Sequence, residues 1–315
     1  MELRKWNSNT WELLSNSKSE IPLTSKEEVK TLGIRWNPQE DMFKFKVTIP
    51  SGFCKSKRAI LSTTAQIYDP LGLIGPVVVK AKLFMRRLWK LSVNWDDKLP
   101  SEFVSEWNAY KERLETMEEI QIPRQAVIKG VIEVEMHGFC DASQVAYGAC
   151  IYLCSKDSTE KRTVRLLTSK SRIAPMKTIS IPRLELCSAV LLAKLASKIK
   201  SVMTFSISKY VYWTDSSIVL HWIRGEPNNY KVFVANRVVE IQGLTHQEEW
   251  RHVRTKSNPA DMLSRGVDPR ELPHSEMWWS GPPWLQEIPD QWPQNINVDI
   301  LEKHRSDTIT KKEKS

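Results

Sequence analysis

Four acidic residues lie where a chain can bring distant side chains together. Asp141 closes the apolar run in Phe139-Cys140-Asp141-Ala142-Ser143. Glu185 sits at the start of a helical pattern in Ile181-Pro182-Arg183-Leu184-Glu185-Leu186. Asp215 follows an apolar stretch in Trp213-Thr214-Asp215-Ser216-Ser217, and Asp261 opens Asp261-Met262-Leu263-Ser264-Arg265 after Asn258-Pro259-Ala260. Any one of the chain's 37 Asp and Glu residues, taken alone, reads as a solvated surface carboxylate. Asp215 and Asp261 singly would be helix N-terminal acids facing the positive end of a dipole. Jointly the four differ, because each interrupts an element that is otherwise apolar. Hard oxygen ligands of this kind suit Mg²⁺. Two such ions, about 4 Å apart, stabilise the attacking and leaving oxygens of a phosphodiester during hydrolysis. Without cations between them, converging carboxylates repel one another.

The elements that must position these acids can be read from periodicity. Over 130–268 the pattern predicts strands at 131–141, 146–154 and 163–168, with a polar turn before the third. Helices follow at 182–200, 215–223, 231–242 and 259–264, and short strands at 209–213 and 249–253. The order is β-β-β-α-β-α-α-β-α. Gly148 falls where a side chain would crowd a neighbour. Upstream, 54–125 is mainly helical, with helices expected at 76–91 behind Pro76 and at 101–118 behind Pro100-Ser101. Residues 1–50 contain an expected hairpin of strands at 30–36 and 43–49. Trp278, Trp279, Trp284 and Trp292 lie among prolines in a tail that ends in the charged run Lys311-Lys312-Glu313-Lys314, expected to be extended and partly ordered and then disordered.

These segments resemble the ribonuclease H domain of retroviral and LTR-retrotransposon polyproteins. Asp141-Ala142-Ser143 with Tyr147-Gly148-Ala149 resembles the family's first hairpin, and Ile181 to Glu185 the start of its first helix. Thr214-Asp215-Ser216 resembles the end of its fourth strand, and Asn258 to Asp261 with Leu263-Ser264-Arg265 its last helix. Leu61-Ser62-Thr63-Thr64-Ala65-Gln66-Ile67-Tyr68-Asp69-Pro70-Leu71-Gly72-Leu73 is similar to the Pao-type segment of BEL/Pao polyproteins, as are Trp95-Asp96 and Leu99-Pro100. Leu32-Gly33-Ile34-Arg35-Trp36 resembles the junction after a reverse transcriptase palm, and Gly281-Pro282-Pro283-Trp284-Leu285 a linker ahead of an integrase. The resemblance implies an α/β fold, a ribonuclease H-like mixed five-stranded sheet flanked by helices, preceded by a mainly helical thumb/connection-like region. It implies three parts: 1–125 as a reverse transcriptase palm-end, thumb and connection remnant, 130–268 as the nuclease domain, and 269–315 as a Pro/Trp-rich linker and charged tail. It further implies two Mg²⁺ ions, which Mn²⁺ could replace, and an RNA–DNA hybrid as partner. Asp141 would bridge both ions, with Glu185 and Asp215 completing one site and Asp261 the other. Cleavage would leave 3′-hydroxyl and 5′-phosphate ends on the RNA strand.

The net charge of +9 favours a polyanionic partner. Lys170, Arg172, Lys177 and Arg183 surround the entry to the first long helix, and Lys256 lies ahead of Asp261; these are the candidate phosphate contacts. A second basic stripe, Lys80, Lys82, Arg86, Arg87 and Lys90, lines the helix behind Pro76. Several chemistries are not supported. Five scattered cysteines form no disulfide framework or zinc set. There is no Tyr-x-Asp-Asp polymerase core, and Asp96-Asp97 lies in a loop. Asp141-Ala142-Ser143 and Asp215-Ser216-Ser217 lack the glycine of an aspartic protease. No cysteine follows Cys187 to build an integrase zinc module. The longest apolar stretch, 71–79, is broken by Gly72, Gly75 and Pro76, so an intracellular, non-membrane protein is expected, an internal piece of a polyprotein. One departure from the resembled family stands out: the loop Arg254-Thr255-Lys256-Ser257 carries no histidine, and His252 falls within a strand. That departure leaves room for a non-catalytic nucleic-acid-binding role.

Overall fold

Two stretches of chain with different periodicity give two compact units in the computed structural model, which describes residues 29–31, 34–46, 52 and 54–295. The first unit holds the described residues up to Ala126 together with Val267–Ser275; the second holds Val127–Gly266 and the described residues from Glu276 onward.

In the first unit, β1 (Val29–Thr31), β2 (Ile34–Asn37), β3 (Met42–Lys44) and β4 (Gln121–Pro123) form an antiparallel sheet in that order. The stretch expected as one strand over 30–36 instead folds back on itself, with Val29 opposite Trp36. Leu32 and Gly33, the far end of the strand expected at 43–49, and the charged run at 311–314 lie outside the described residues. Three helices follow: α1 (Lys57–Ala65), α2 (Gly75–Trp89) and α3 (Ser101–Arg113). Ser56 caps α1 by accepting from Ala59 N. Ile60, Phe84, Leu88 and Trp107 form their shared core. The Asp-Pro-Leu-Gly run is a turn closed by its own acid, since the Asp69 carboxylate accepts from Leu73 N (2.8 Å) and Ile74 N (2.9 Å). Burial pushes Asp69 up to about 6, against the pull of those amides. Arg113 donates to Asp268 at 2.7 Å, which ties the 267–275 segment to α3. Arg87 of the basic stripe pairs with Glu106 and lies over Phe84 and Phe103, so it serves packing within this unit.

The second unit is α/β. Strands β5 (Val131–Ala142), β6 (Ala146–Asp157) and β7 (Arg162–Ile173) form an antiparallel meander, and β8 (Lys209–Thr214) and β9 (Trp250–His252) add in parallel to β5. The order β7-β6-β5-β8-β9 makes a mixed five-stranded sheet. Helices α4 (Ile181–Lys200), α5 (Ser217–Arg224), α6 (Val232–Leu244) and α7 (Asp261–Arg265) flank it. The fold class expected from the sequence is the one observed. β7 runs five residues beyond its expected end, to Ile173, because Ser169 to Ile173 keep pairing with β6. α5 begins at Ser217, and Ser216 caps it by accepting from Val219 N at 3.2 Å. All five cysteines are free thiols. Among the described residues no helix is long and apolar enough to cross a membrane.

Residues 276–295 are not an extended linker. Trp278 and Leu285 are fully buried and Trp292 nearly so. α8 (Glu276–Ser280) packs beside β7, the Tyr152 hydroxyl donates to Trp278 O at 2.8 Å, and the Trp284 ring meets Trp213 at 4.7 Å. Aromatic side chains amid prolines can bury large apolar area without regular structure, which periodicity does not reveal.

Candidate active site

Parallel pairing of β5 with β8 brings two of the acids to adjacent strand ends. Cys140 stands opposite Thr214, so Asp141 and Asp215 each follow the last paired residues of neighbouring strands. Asp141 is buried, 6% exposed, beside Gly148 of β6. Gly148 is required there, because a Cβ would collide with Leu263 of α7, which seats that helix directly on the sheet. The loop ahead of α7 is pinned by Asn258, whose side chain donates to Cys140 O (3.0 Å) and accepts from Ala260 N (3.2 Å). Pro259 and Ala260 then deliver Asp261 to the first position of α7.

Each carboxylate has its own setting. The Ser264 hydroxyl donates to Asp141 Oδ2, and Ser143 Oγ donates to Ser264 O at 2.7 Å. Ser216 Oγ donates to Glu185 Oε2 at 2.7 Å while it caps α5, so one hydroxyl fixes a helix start and an acid together. Arg265 Nε donates to Asp261 Oδ1 at 2.5 Å. Asp215 Oδ1 is buried with no hydrogen-bond partner.

The electrostatics link all four. Burial first, then repulsion from Asp215 and Asp261, push Asp141 up to about 7, against the Ser264 hydroxyl. Glu185 is raised by burial, with Asp215 adding to the shift and Ser216 opposing it. Repulsion thus reaches Asp141 from Asp215 and Asp261, and Glu185 from Asp215, near the ends of β5 and β8. Among the described residues no group of three or more His, Cys, Asp or Glu side chains stands where it could hold a metal ion. The orphaned Asp215 oxygen and the repulsion on buried Asp141 are what a divalent cation would relieve, and the donors are the hard oxygens Mg²⁺ takes.

His252 lies on β9 as expected and donates from Nε2 to Asp215 O at 3.2 Å; burial lowers its pKa. The histidine-free loop forms a short 3₁₀ turn, Thr255–Ser257, with Lys256 exposed on it.

The candidate phosphate contacts Lys170, Arg172, Lys177, Arg183 and Lys256 are all exposed. Lys170 and Arg172 are exposed on β7 itself, a consequence of its greater length, and Lys177 is exposed in the connection to α4. Arg183 is exposed in the first turn of α4, its guanidinium 5.1 Å from the Phe233 ring centre. Arg172 also lines a cleft of about 270 Å³ with Tyr147, Lys194, Asn236 and Arg237, between β6–β7 and helices α4 and α6. The α6 residues were not among the sequence candidates, since nothing in their spacing separates them from a solvated helix face. Ser216 and Ser264 were also missed. Their signal was present, a hydroxyl one residue after Asp215 and three after Asp261, but only the fold shows which acids they serve.

The family model described as Pao retrotransposon-like RNaseH-like domain matches residues 56–216. That span includes Asp141, Glu185 and Asp215 and stops short of Asp261. No curated protein matches the chain. Among solved structures, the N-terminal ribonuclease H domain of a Mycobacterium tuberculosis protein, solved as a fusion with maltose-binding protein, is similar at 15% identity. Its TM-score is 0.30, over 45% of this chain and 96% of that one.

Proposed function

Because the chain belongs to the Pao retrotransposon-like RNaseH-like domain family, we propose that its second unit is a nuclease that hydrolyses the RNA strand of RNA–DNA hybrids. The observation that carries this reading is buried Asp141 at the end of β5 beside Asp215 at the end of parallel β8, its charge opposed by Asp215 and Asp261. In this reading two Mg²⁺ ions would be held by Asp141, Glu185, Asp215 and Asp261, with Asp141 shared between them. Bound there, the ions would supply a hydroxide-like nucleophile and charge stabilisation at the leaving oxygen. The chain's own groups do the positioning. Ser264 and Ser216 orient Asp141 and Glu185, and Asn258 holds the loop that carries Asp261. Arg265 moderates the charge of Asp261. Lys170, Arg172, Lys177, Arg183 and Lys256 would take phosphates of the hybrid, and Arg172 leads into the Arg237 cleft. The first unit we read as the end of a reverse transcriptase palm with its thumb and connection.

A second reading, hybrid binding without cleavage, is favoured by one observation: the loop that ends at Ser257 offers no histidine near Asp261. The test is cleavage of an end-labelled RNA–DNA hybrid by the full chain, in Mg²⁺ and in EDTA, beside Asp141→Asn. Cleavage lost in both EDTA and the variant supports the nuclease. A folded wild-type chain that binds the hybrid and leaves it intact supports the second reading.

A further inference from the structure

The parallel edge strand β9 is three residues long and pairs only with β8, through Tyr212–Trp250, Trp213–Arg251 and Thr214–His252. Three parallel pairs at a sheet edge are marginal without further support. Yet two bonds from this region clamp the end of β8: Val253 N donates to Thr214 O at 3.0 Å, and His252 Nε2 donates to Asp215 O at 3.2 Å. If β9 slips, the turn that carries Asp215 moves with it.

Support comes from the C-terminal segment. The Asn295 side chain accepts from His252 N at 3.2 Å, taking up a backbone donor of this edge strand. Three residues earlier, Trp292 is 4% exposed and meets the His137 ring edge-on at 5.0 Å and the Trp213 ring at 6.0 Å. Cations from three strands sit against it: Lys209 Nζ of β8 at 4.7 Å, Arg162 of β7 at 5.7 Å and Arg251 of β9 at 5.8 Å from the ring centre. Trp292 Nε1 is itself tied back to Glu287 O at 3.2 Å. The segment is anchored upstream as well, through Tyr152 to Trp278 O and Cys154 Sγ to Leu285 O at 3.7 Å.

We propose that residues 276–295 are a working part of the nuclease unit, a strap whose end at Trp292 and Asn295 braces β9 and so positions Asp215. This rests on the nuclease reading for its catalytic consequence, whereas the bracing itself does not. Asn295 and Trp292 are positioning residues, remote from any reacting atom. The alternative is that the strap only covers apolar surface, in which case its loss would not be felt at Asp215 in particular.

The experiment uses the full chain as wild type, Asn295→Ala, Asn295→Asp and Trp292→Ala. Amide hydrogen exchange is followed by peptide, and hybrid cleavage is measured for kcat and KM. Loss of one such bond corresponds to about 1 kcal/mol, so Asn295→Ala should speed exchange roughly five- to tenfold in peptides covering 212–216 and 250–254. Exchange across 181–200 should stay as in wild type. The same displacement should lower kcat about fivefold, with KM for the hybrid unchanged. Asn295→Asp keeps an accepting oxygen and should restore both readouts, and Trp292→Ala should give the Asn295→Ala pattern more strongly. Faster exchange at 250–254 alone, with 212–216 unchanged, overturns the proposal. So does a uniform rise that includes 181–200 in both alanine variants, or an unchanged kcat while 212–216 exchanges faster. A wild-type chain that never cleaves refutes the nuclease reading instead, and the exchange pattern then still decides the bracing.

Discussion

Replacing Asp141 by Asn should stabilise the metal-free protein while it removes the proposed activity. The Asp141 carboxyl is raised from 3.8 to about 7, first by burial and then by Asp215 and Asp261. A carboxyl with a folded-state pKa above its unfolded value binds a proton more readily when folded. Its contribution is therefore fully favourable below about pH 4, is lost progressively as pH rises towards 7, and is flat above that. Three units correspond to about 4 kcal/mol at most. Asn keeps an oxygen that can accept from Ser264 but brings an amide that must be desolvated, so about 2 kcal/mol of net gain at pH 7.5 is the expected share. The assay is urea unfolding of the full chain, wild type and variant, at pH 5 and 7.5 in EDTA, followed by exchange-protected peptides of the second unit. The gain should be large at pH 7.5 and small at pH 5, and millimolar Mg²⁺ should stabilise the wild type more than the variant. An Asp141→Asn chain equal to or less stable than wild type at pH 7.5 would refute the view that these acids repel one another across one site.

Gly148→Ala should cost about 2–3 kcal/mol in urea unfolding, since Leu263 of a helix seated on the strand cannot step aside freely. Ser216→Ala removes a helix cap and the donor to Glu185 together, so we expect about 1–2 kcal/mol of lost stability and a fall in kcat, partly restored by Thr. Acid should weaken the unit through His137, whose pKa is lowered by burial, and through Glu135, which His137 and Arg162 hold below its usual range despite burial. Both groups bind protons more tightly when unfolded, so stability should fall as pH drops below about 6.5. The clearest reading would come in the Asp141→Asn background, where the opposing carboxyl is gone; a flat profile from pH 7 to 5 there would contradict it. Arg172→Gln should weaken hybrid binding evenly across sequences and reduce the slope of log Kd against log salt by about 1.

Much of the fold was legible because the second unit keeps local pattern and tertiary role in agreement. The apolar run that ends at Asp141 is buried without a break from Val134, and the helical spacing of Leu184, Leu191 and Ile199 matches their burial. The acids could be found because each breaks an apolar element at its end. Less legible were features set by partners distant in sequence. The length of β7 depends on what β6 offers it, and the Asn258 anchor depends on where the Cys140 carbonyl falls. The tryptophans after 276 carry no period at all, and their burial follows from the shape of a sheet face that only the assembled strands create. In the first unit, the pairing of Val29–Thr31 with Ile34–Trp36 escaped because a mixed stretch of that length reads equally well as one strand.

The strand order has a consequence for how the chain is made. β5, β6 and β7 are neighbours in sequence and can pair as soon as they leave the ribosome, but β5 gains its second partner only when β8, some 35 residues later, arrives in parallel. Local hairpins close early and parallel additions wait on long loops. Until residues 276–292 emerge, the aromatic face around Phe139, Tyr152 and Trp213 has no lid, so the nascent sheet spends the interval after Asp261 with every acid in place and its largest apolar surface open. Synthesis stalled there should yield a species that chaperones or neighbouring chains can seize, and emergence of residues 276–295 should end that exposure in one step.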